Sequence, residues 1–184
     1  MRQMSPLIAL LLLAVPLQAQ FIPGNVEASL SAGLQSIAGA GASSTNIMLS
    51  TRVGFFPVEQ FEVEPEFMIV KGENVTAMYM FNGNLAYNFK LPTGTASPFI
   101  LAGYGITNSF PIFNLLFQNY DTTIGVLNLG IGMKILVAKN VAVRVEYRYQ
   151  KFTGEKTSTL FVYTSTMNVD LTNHTVNVGF SVIL

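Results

Sequence analysis

The chain contains no cysteine. That absence excludes disulfides, thiolate metal sites, cysteine nucleophiles and a lipid anchor carried on cysteine. Net charge is also missing: ten basic residues balance ten acidic ones, so no overall field draws nucleic acid or an acidic partner. Histidine is reduced to one residue, His174. Half of the residues are hydrophobic, yet after the first 19 no apolar run approaches the roughly 20 residues a spanning helix needs. High apolar content in short pieces suits strands better than helices.

The first apolar run has its own explanation. Arg2 supplies a positive start, Leu7 to Val15 form a short apolar core, and Pro16-Leu17-Gln18-Ala19 reads as a cleavage region ending on a small residue. Residues 1–19 are therefore expected to be a cleavable export signal, and residues 20–184 a single domain.

What remains alternates. Val141, Val143, Val145, Tyr147 and Tyr149 are interleaved with Arg144, Glu146, Arg148 and Gln150. A strand of period two sends the two sets to opposite faces, one apolar and one charged. The same pattern recurs in about eight segments, near 25–37, 45–56, 60–70, 75–89, 97–107, 122–137, 141–152 and 173–184. In an exported chain such a pattern predicts a closed antiparallel transmembrane β-barrel, with lipid outside and polar side chains inside. Tight turns are expected at Pro57–Gln60, Leu91–Ala96 and Ala138–Asn140. Longer or Gly/Ser-rich connections are expected at Ala38–Ser44, Asn108–Asp121 and Thr153–Thr172, with only the 71–74 connection short among them. An even strand number then puts both termini on the tight-turn side, in the periplasm. Two segments resist the pattern. Pro65, inside the third strand, should force a bulge or distortion. Thr157–Thr172 has mixed parity and could extend the last two strands as a hairpin.

The signal at Met1–Ala19, the alternating strands and the final Val176-x-Val178-x-Phe180-x-Val182-x-Leu184 resemble the small outer-membrane β-barrels of Gram-negative bacteria, the OmpA-like porin or outer membrane protein beta-barrel superfamily. The last strand is similar to the signal read by the barrel-assembly machinery, although that family usually ends in an aromatic residue and this chain ends in Leu184. The resemblance implies an outer-membrane location among lipid and lipopolysaccharide, a monomer, and no cofactor.

The inward charges are the main chemistry on offer: Glu27, Arg52, Glu62, Glu64, Glu66, Lys134, Arg144, Glu146 and Arg148. The turn at Pro57–Gln60 folds Arg52 back beside Glu64 and Glu66. In an eight-strand closure the third and seventh strands face each other, which aims Glu62, Glu64 and Glu66 at Arg144 and Arg148. Buried charges without partners are too costly to persist, so a salt-bridge network across the lumen is expected. It acts either as a plug that fills the barrel or as a gate on a small conduit. Three carboxylates facing two arginines read as ion pairs rather than a calcium site, and no metal cluster, phosphate loop or catalytic constellation is evident. Gly54, Gly103, Gly105, Gly130, Gly132 and Gly179 fall on the same inward face, where they relieve crowding.

Two further segments bear on function. A hydrolase of the lipid A deacylase kind would need His174 beside a serine, which the Ser158–Ser165 region could offer, and an orienting carboxylate such as Asp170. The parity of His174 places it with the lipid-facing set instead. The connection from Phe110 to Tyr120 is apolar for an external loop. Phe110, Phe113, Leu116, Phe117 and Tyr120 could contact a hydrophobic ligand, as in OmpW-like carriers, or form an aromatic girdle with Tyr104 and Phe152. The expected function is a non-enzymatic, structural or porin-like barrel. A carrier of small apolar molecules is the alternative, and a lipid A-modifying enzyme the second alternative.

Overall fold

Because each strand carries an apolar and a polar face, an open sheet would leave one face and two edges unsatisfied; closure removes both problems. A computed structural model describes residues 24–39, 42–72, 77–91, 94–107, 124–160 and 163–184. Its strands are β1 (Val26–Gly39), β2 (Ala42–Val58), β3 (Phe61–Lys71), β4 (Met78–Asn88), β5 (Ala96–Thr107), β6 (Ile124–Ala138), β7 (Val141–Leu160) and β8 (Tyr163–Ile183). Each pairs antiparallel with its sequence neighbours, and β1 pairs with β8, so the sheet is a closed eight-strand barrel in simple up-and-down order. The seam is tied at its end by Leu184 N–H donating to Val26 O at 2.8 Å.

One rim carries the tight turns. Glu59-Gln60 and Lys139-Asn140 are two-residue connections between β2 and β3 and between β6 and β7. Gln60 takes a left-handed backbone, φ 75°. Its position is held by Tyr87 Oη donating to Gln60 Oε1 at 3.0 Å and by the Asn88 N–H donating to Gln60 O at 2.7 Å. The start of β1 and the end of β8 lie at this same rim.

At the opposite rim the strands run further than the sequence suggests. β1 and β2 remain paired to Gly39–Ala42, and β7 and β8 to Leu160–Tyr163. The Gly/Ser-rich connection expected at Ala38–Ser44 is thus almost entirely strand, and 153–172 is largely a hairpin extending β7 and β8. Small Gly and Ser side chains do not oppose pairing when a ladder already formed below them continues upward. Pro65 distorts one of its two ladders, as expected, opening a gap in the pairing with β2 but none in the pairing with β4. It points outward, and the β3–β4 register runs through it unbroken. The β2 ladder passes from Arg52–Glu66 to Phe55–Val63 across a gap without changing register, and the irregularity lies closer to the turn, between Phe55 and Val58.

Exposure follows the alternation strictly. β3 reads exposed-buried through Phe61, Glu62, Val63, Glu64, Pro65 and Glu66. The exposed set is apolar: Leu30, Leu49, Ile131, Val176 and Phe180 are each more than half exposed. The buried set is largely polar or charged, the reverse of a water-soluble barrel.

Two inward glycines make room for the interior. A Cβ on Gly54 would lie 2.0 Å from Glu62 Oε1, and one on Gly132 would lie 2.4 Å from Phe99 Cζ. These bare positions let a carboxylate and an aromatic ring from neighbouring strands lie across the barrel wall.

Candidate functional site in the barrel lumen

From the tight-turn rim inward, the lumen is built in layers. The first is apolar: Phe56, Leu136, Ala142 and Ile183 pack together. Above it Lys134 Nζ donates to Glu27 Oε2 at 2.7 Å and to Glu62 Oε2 at 2.6 Å, with Glu64 Oε1 at 3.9 Å. Lys134 Nζ also lies 5.5 Å from the Phe56 ring centre and 5.9 Å from that of Phe99. The Arg144 guanidinium stacks over Phe99 at 4.2 Å, a cation–π contact strengthened by the burial of both groups.

Next comes the guanidinium layer. Arg144 grips Glu64 with both Nη atoms, at 2.6 and 3.1 Å, a bidentate fork across the lumen from β7 to β3. Its Nε and Nη2 also donate to Glu146 Oε2, at 3.0 and 2.8 Å. Arg148 donates through Nη1 to Glu66 Oε2 at 2.5 Å and through Nε to Glu146 Oε1 at 2.8 Å. Arg52 completes the layer, reaching Glu66 Oε1 at 2.5 Å and Glu146 Oε2 at 3.1 Å. Glu146 is therefore the hub, with three guanidinium groups around one carboxylate. All nine charged side chains are at most 2% exposed.

Above the charges runs a chain of amides. Asn82 and Asn84 each donate to Glu66 Oε2 at 3.1 Å. Asn128 donates to Asn82 Oδ1 at 3.1 Å, Gln150 to Asn128 Oδ1 at 2.7 Å, and Asn173 to Gln150 Oε1 at 2.8 Å. Neutral amides both donate and accept, so they link to one another without adding charge, although Asn84 Oδ1 and Asn173 Oδ1 are buried with no hydrogen-bond partner. The far end is apolar again: Met48, Met68, Val70, Met80, Val126 and Phe152 are buried together, with Met78, Ile124 and Leu171 against them.

The nine charges named from sequence all face the lumen, and strands β3 and β7 meet across it through Arg144–Glu64 and Arg148–Glu66. Arg52 meets Glu66 as expected from the turn; its other carboxylate is Glu146 rather than Glu64. The partners of Lys134, the amide chain and the two apolar layers are new. The apolar layers were legible in principle, since Met48, Met68, Met80, Phe56 and Phe152 share parity with charged or amide residues on their strands. Phe152 is correspondingly an interior residue, 4% exposed, and not part of an outer girdle. Tyr104 does face outward, 61% exposed.

His174 is exposed on the outer face, where its Nδ1 lies 2.7 Å from Tyr147 Oη and its ring packs edge-on to Tyr149. Asp170 Oδ1 is 3.7 Å from Lys151 Nζ, so His174 and Asp170 have other neighbours than each other. The side chains of Ser158 and Ser165 lie outside the described residues, as do the apolar connection Phe110–Tyr120 and residues 1–23. Among the described residues no cluster of His, Asp, Glu or Cys has metal-holding geometry.

The layered barrel has close structural counterparts. The Neisserial surface protein A crystal structure superposes with a TM-score of 0.65 at 13% identity, covering 86% of this chain and 98% of that one. The AlkL outer membrane protein, solved by solid-state NMR in lipid bilayers, gives 0.59 at 14% identity, covering 91% and 93%. OprG from Pseudomonas aeruginosa gives 0.52 at 15% identity, covering 88% and 96%. At these identities the likeness is one of fold. No curated protein matches the chain in sequence. The family described as "Outer membrane protein beta-barrel domain" matches residues 5–183, nearly the whole chain. With an apolar exterior, a charged interior and eight closed strands, the chain belongs to the outer membrane protein beta-barrel domain family.

Proposed function

We propose that this protein is a non-enzymatic outer-membrane barrel whose lumen is closed by its own ion-pair plug, with any binding left to the long-strand rim. The orientation that follows has both termini and the tight turns in the periplasm. One observation carries the reading: nine buried charged side chains are linked by ion pairs across the full width of the lumen, between apolar layers at both ends. An eight-strand barrel is just wide enough for side chains to fill it, and here they do. The test is ion conductance of the refolded chain in planar bilayers, with Arg144→Ala as comparison. The wild type is expected to be silent. Arg144→Ala, which removes the fork on Glu64 and the guanidinium stacked over Phe99, is expected to leak. Steady wild-type channels altered by Arg144→Ala would make the network a gate and the protein a porin.

A carrier of small apolar molecules is the second reading. It is favoured by the Met48, Met68 and Met80 side chains at the long-strand end, since unbranched thioethers repack readily around apolar guests. Uptake of an apolar probe, lost when Phe113 and Phe117 of the adjoining connection become Ser, would support it. Uptake unchanged by those substitutions would count against that connection as the entry site.

A further inference from the structure

The lumen charges do not balance. Glu27, Glu62, Glu64, Glu66 and Glu146 are five carboxylates; Arg52, Lys134, Arg144 and Arg148 are four cations, and all are buried among the described residues. The surplus can be located. Glu64, Glu66 and Glu146 are shared among three guanidinium groups, three against three. That leaves Glu27 and Glu62 with Lys134 alone, 2.7 and 2.6 Å from its nitrogen. Glu27 Oε1 is buried with no hydrogen-bond partner, whereas Glu62 Oε2 also accepts from Asn88 Nδ2 at 3.1 Å.

An isolated buried carboxylate charge is among the most costly groups a protein can hold, and two carboxyls competing for one cation resolve the conflict by keeping a proton. We infer that the Glu27–Lys134–Glu62 cluster is a binding site for one proton, held at neutral pH and shared between the two carboxyls. The geometry selects a proton over a metal ion. The Lys134 ammonium already occupies the space between the two carboxylates, and a proton needs no room of its own. Among the described residues the surroundings supply no other neutralising group. β2 presents Gly54 and Phe56, β4 Ala86 and Asn88, β5 Ser97 and Phe99, and β8 Ser181 and Ile183, none of them ionised. The charged neighbours are Glu64 on β3 and Arg144 on β7, already forked together. The apolar layer of Phe56, Leu136, Ala142 and Ile183 separates the cluster from the tight-turn rim, so the proton is trapped rather than in rapid exchange.

Two consequences can be read in the refolded mature chain. The folded protein holds one proton that the unfolded chain releases above the ordinary carboxyl range, so from about pH 5 upward the folding constant should fall about tenfold per pH unit, until the folded barrel itself gives up the proton. Glu27→Gln makes the count four against four and should remove that slope. In the infrared, the wild type at neutral pH should show the carbonyl band of one protonated carboxyl, shifted in heavy water and missing in Glu27→Gln. Glu62→Gln should act in the same way and stands in if Glu27→Gln does not fold. A wild-type spectrum without a protonated carboxyl would overturn the proposal even if neither variant folds. So would stability that depends on sodium or potassium concentration rather than on pH, which would put a metal ion where we place the proton.

Discussion

Replacing Glu146 with Ala should cost about 3–5 kcal/mol of folding stability, or prevent refolding altogether, because it removes one partner of a buried ion network and strands the others. The single carboxylate of Glu146 is hydrogen-bonded by Arg52, Arg144 and Arg148. Without it, three buried guanidinium groups share two carboxylates, Glu64 and Glu66. The denaturant midpoint of the refolded barrel in lipid or detergent measures the effect, with exposed Glu59→Ala as the control. A change in Glu146→Ala no larger than the control would mean that water fills the lumen and screens the charges. The magnitude does not mean that the network as a whole stabilises the fold. Buried ion pairs often only break even against apolar packing, and their loss is costly because of the partners left behind.

Ile131→Arg should destabilise the membrane-inserted barrel by about 2–4 kcal/mol, the cost of an arginine on the lipid face near the bilayer midplane. Ile131 is 60% exposed in the middle of β6. In a water-soluble protein an arginine there would be nearly neutral, so the sign of the result separates a lipid-facing surface from a water-facing one. Refolding into vesicles and comparing midpoints gives the number. The same substitution at Val137, beside the Lys139-Asn140 turn, should cost far less, because it lies near the rim where the side chain can reach water. Equal effects at the two positions would contradict the placement of the bilayer.

Much of this architecture is legible in the sequence because a strand has no freedom in its period. Once Val143 and Val145 face lipid, Arg144 must face the lumen, and the same rule places Glu62, Glu64 and Glu66. Closure of eight strands then opposes β3 and β7, and two of the cross-lumen ion pairs follow. The rest was hidden for physical reasons. Which carboxylate Arg52 prefers, or that Asn82, Asn128, Gln150 and Asn173 form a chain, depends on rotamers that strand parity does not fix. The apolar ends of the lumen were hidden by a different effect. The apolar character of Phe152 points to the lipid and an outer girdle, whereas position along the strand decides the face and chemical character only fills it. Strand ends were the least legible, since the Gly- and Ser-rich run at 38–44 carries a turn composition and yet Ala38, Gly39, Ala42, Ser43 and Ser44 are paired.

The claim that the lumen is sealed is tested most directly by thiol accessibility, which the cysteine-free sequence permits without background. Ser50→Cys is close to isosteric and lies buried between the guanidinium layer and the methionine layer. In barrels reconstituted into vesicles, a small water-soluble thiol reagent should leave it unmodified while labelling Lys139→Cys at the exposed turn. Labelling of Ser50→Cys as fast as Lys139→Cys in folded protein would show a continuous aqueous path through the barrel and contradict the plug.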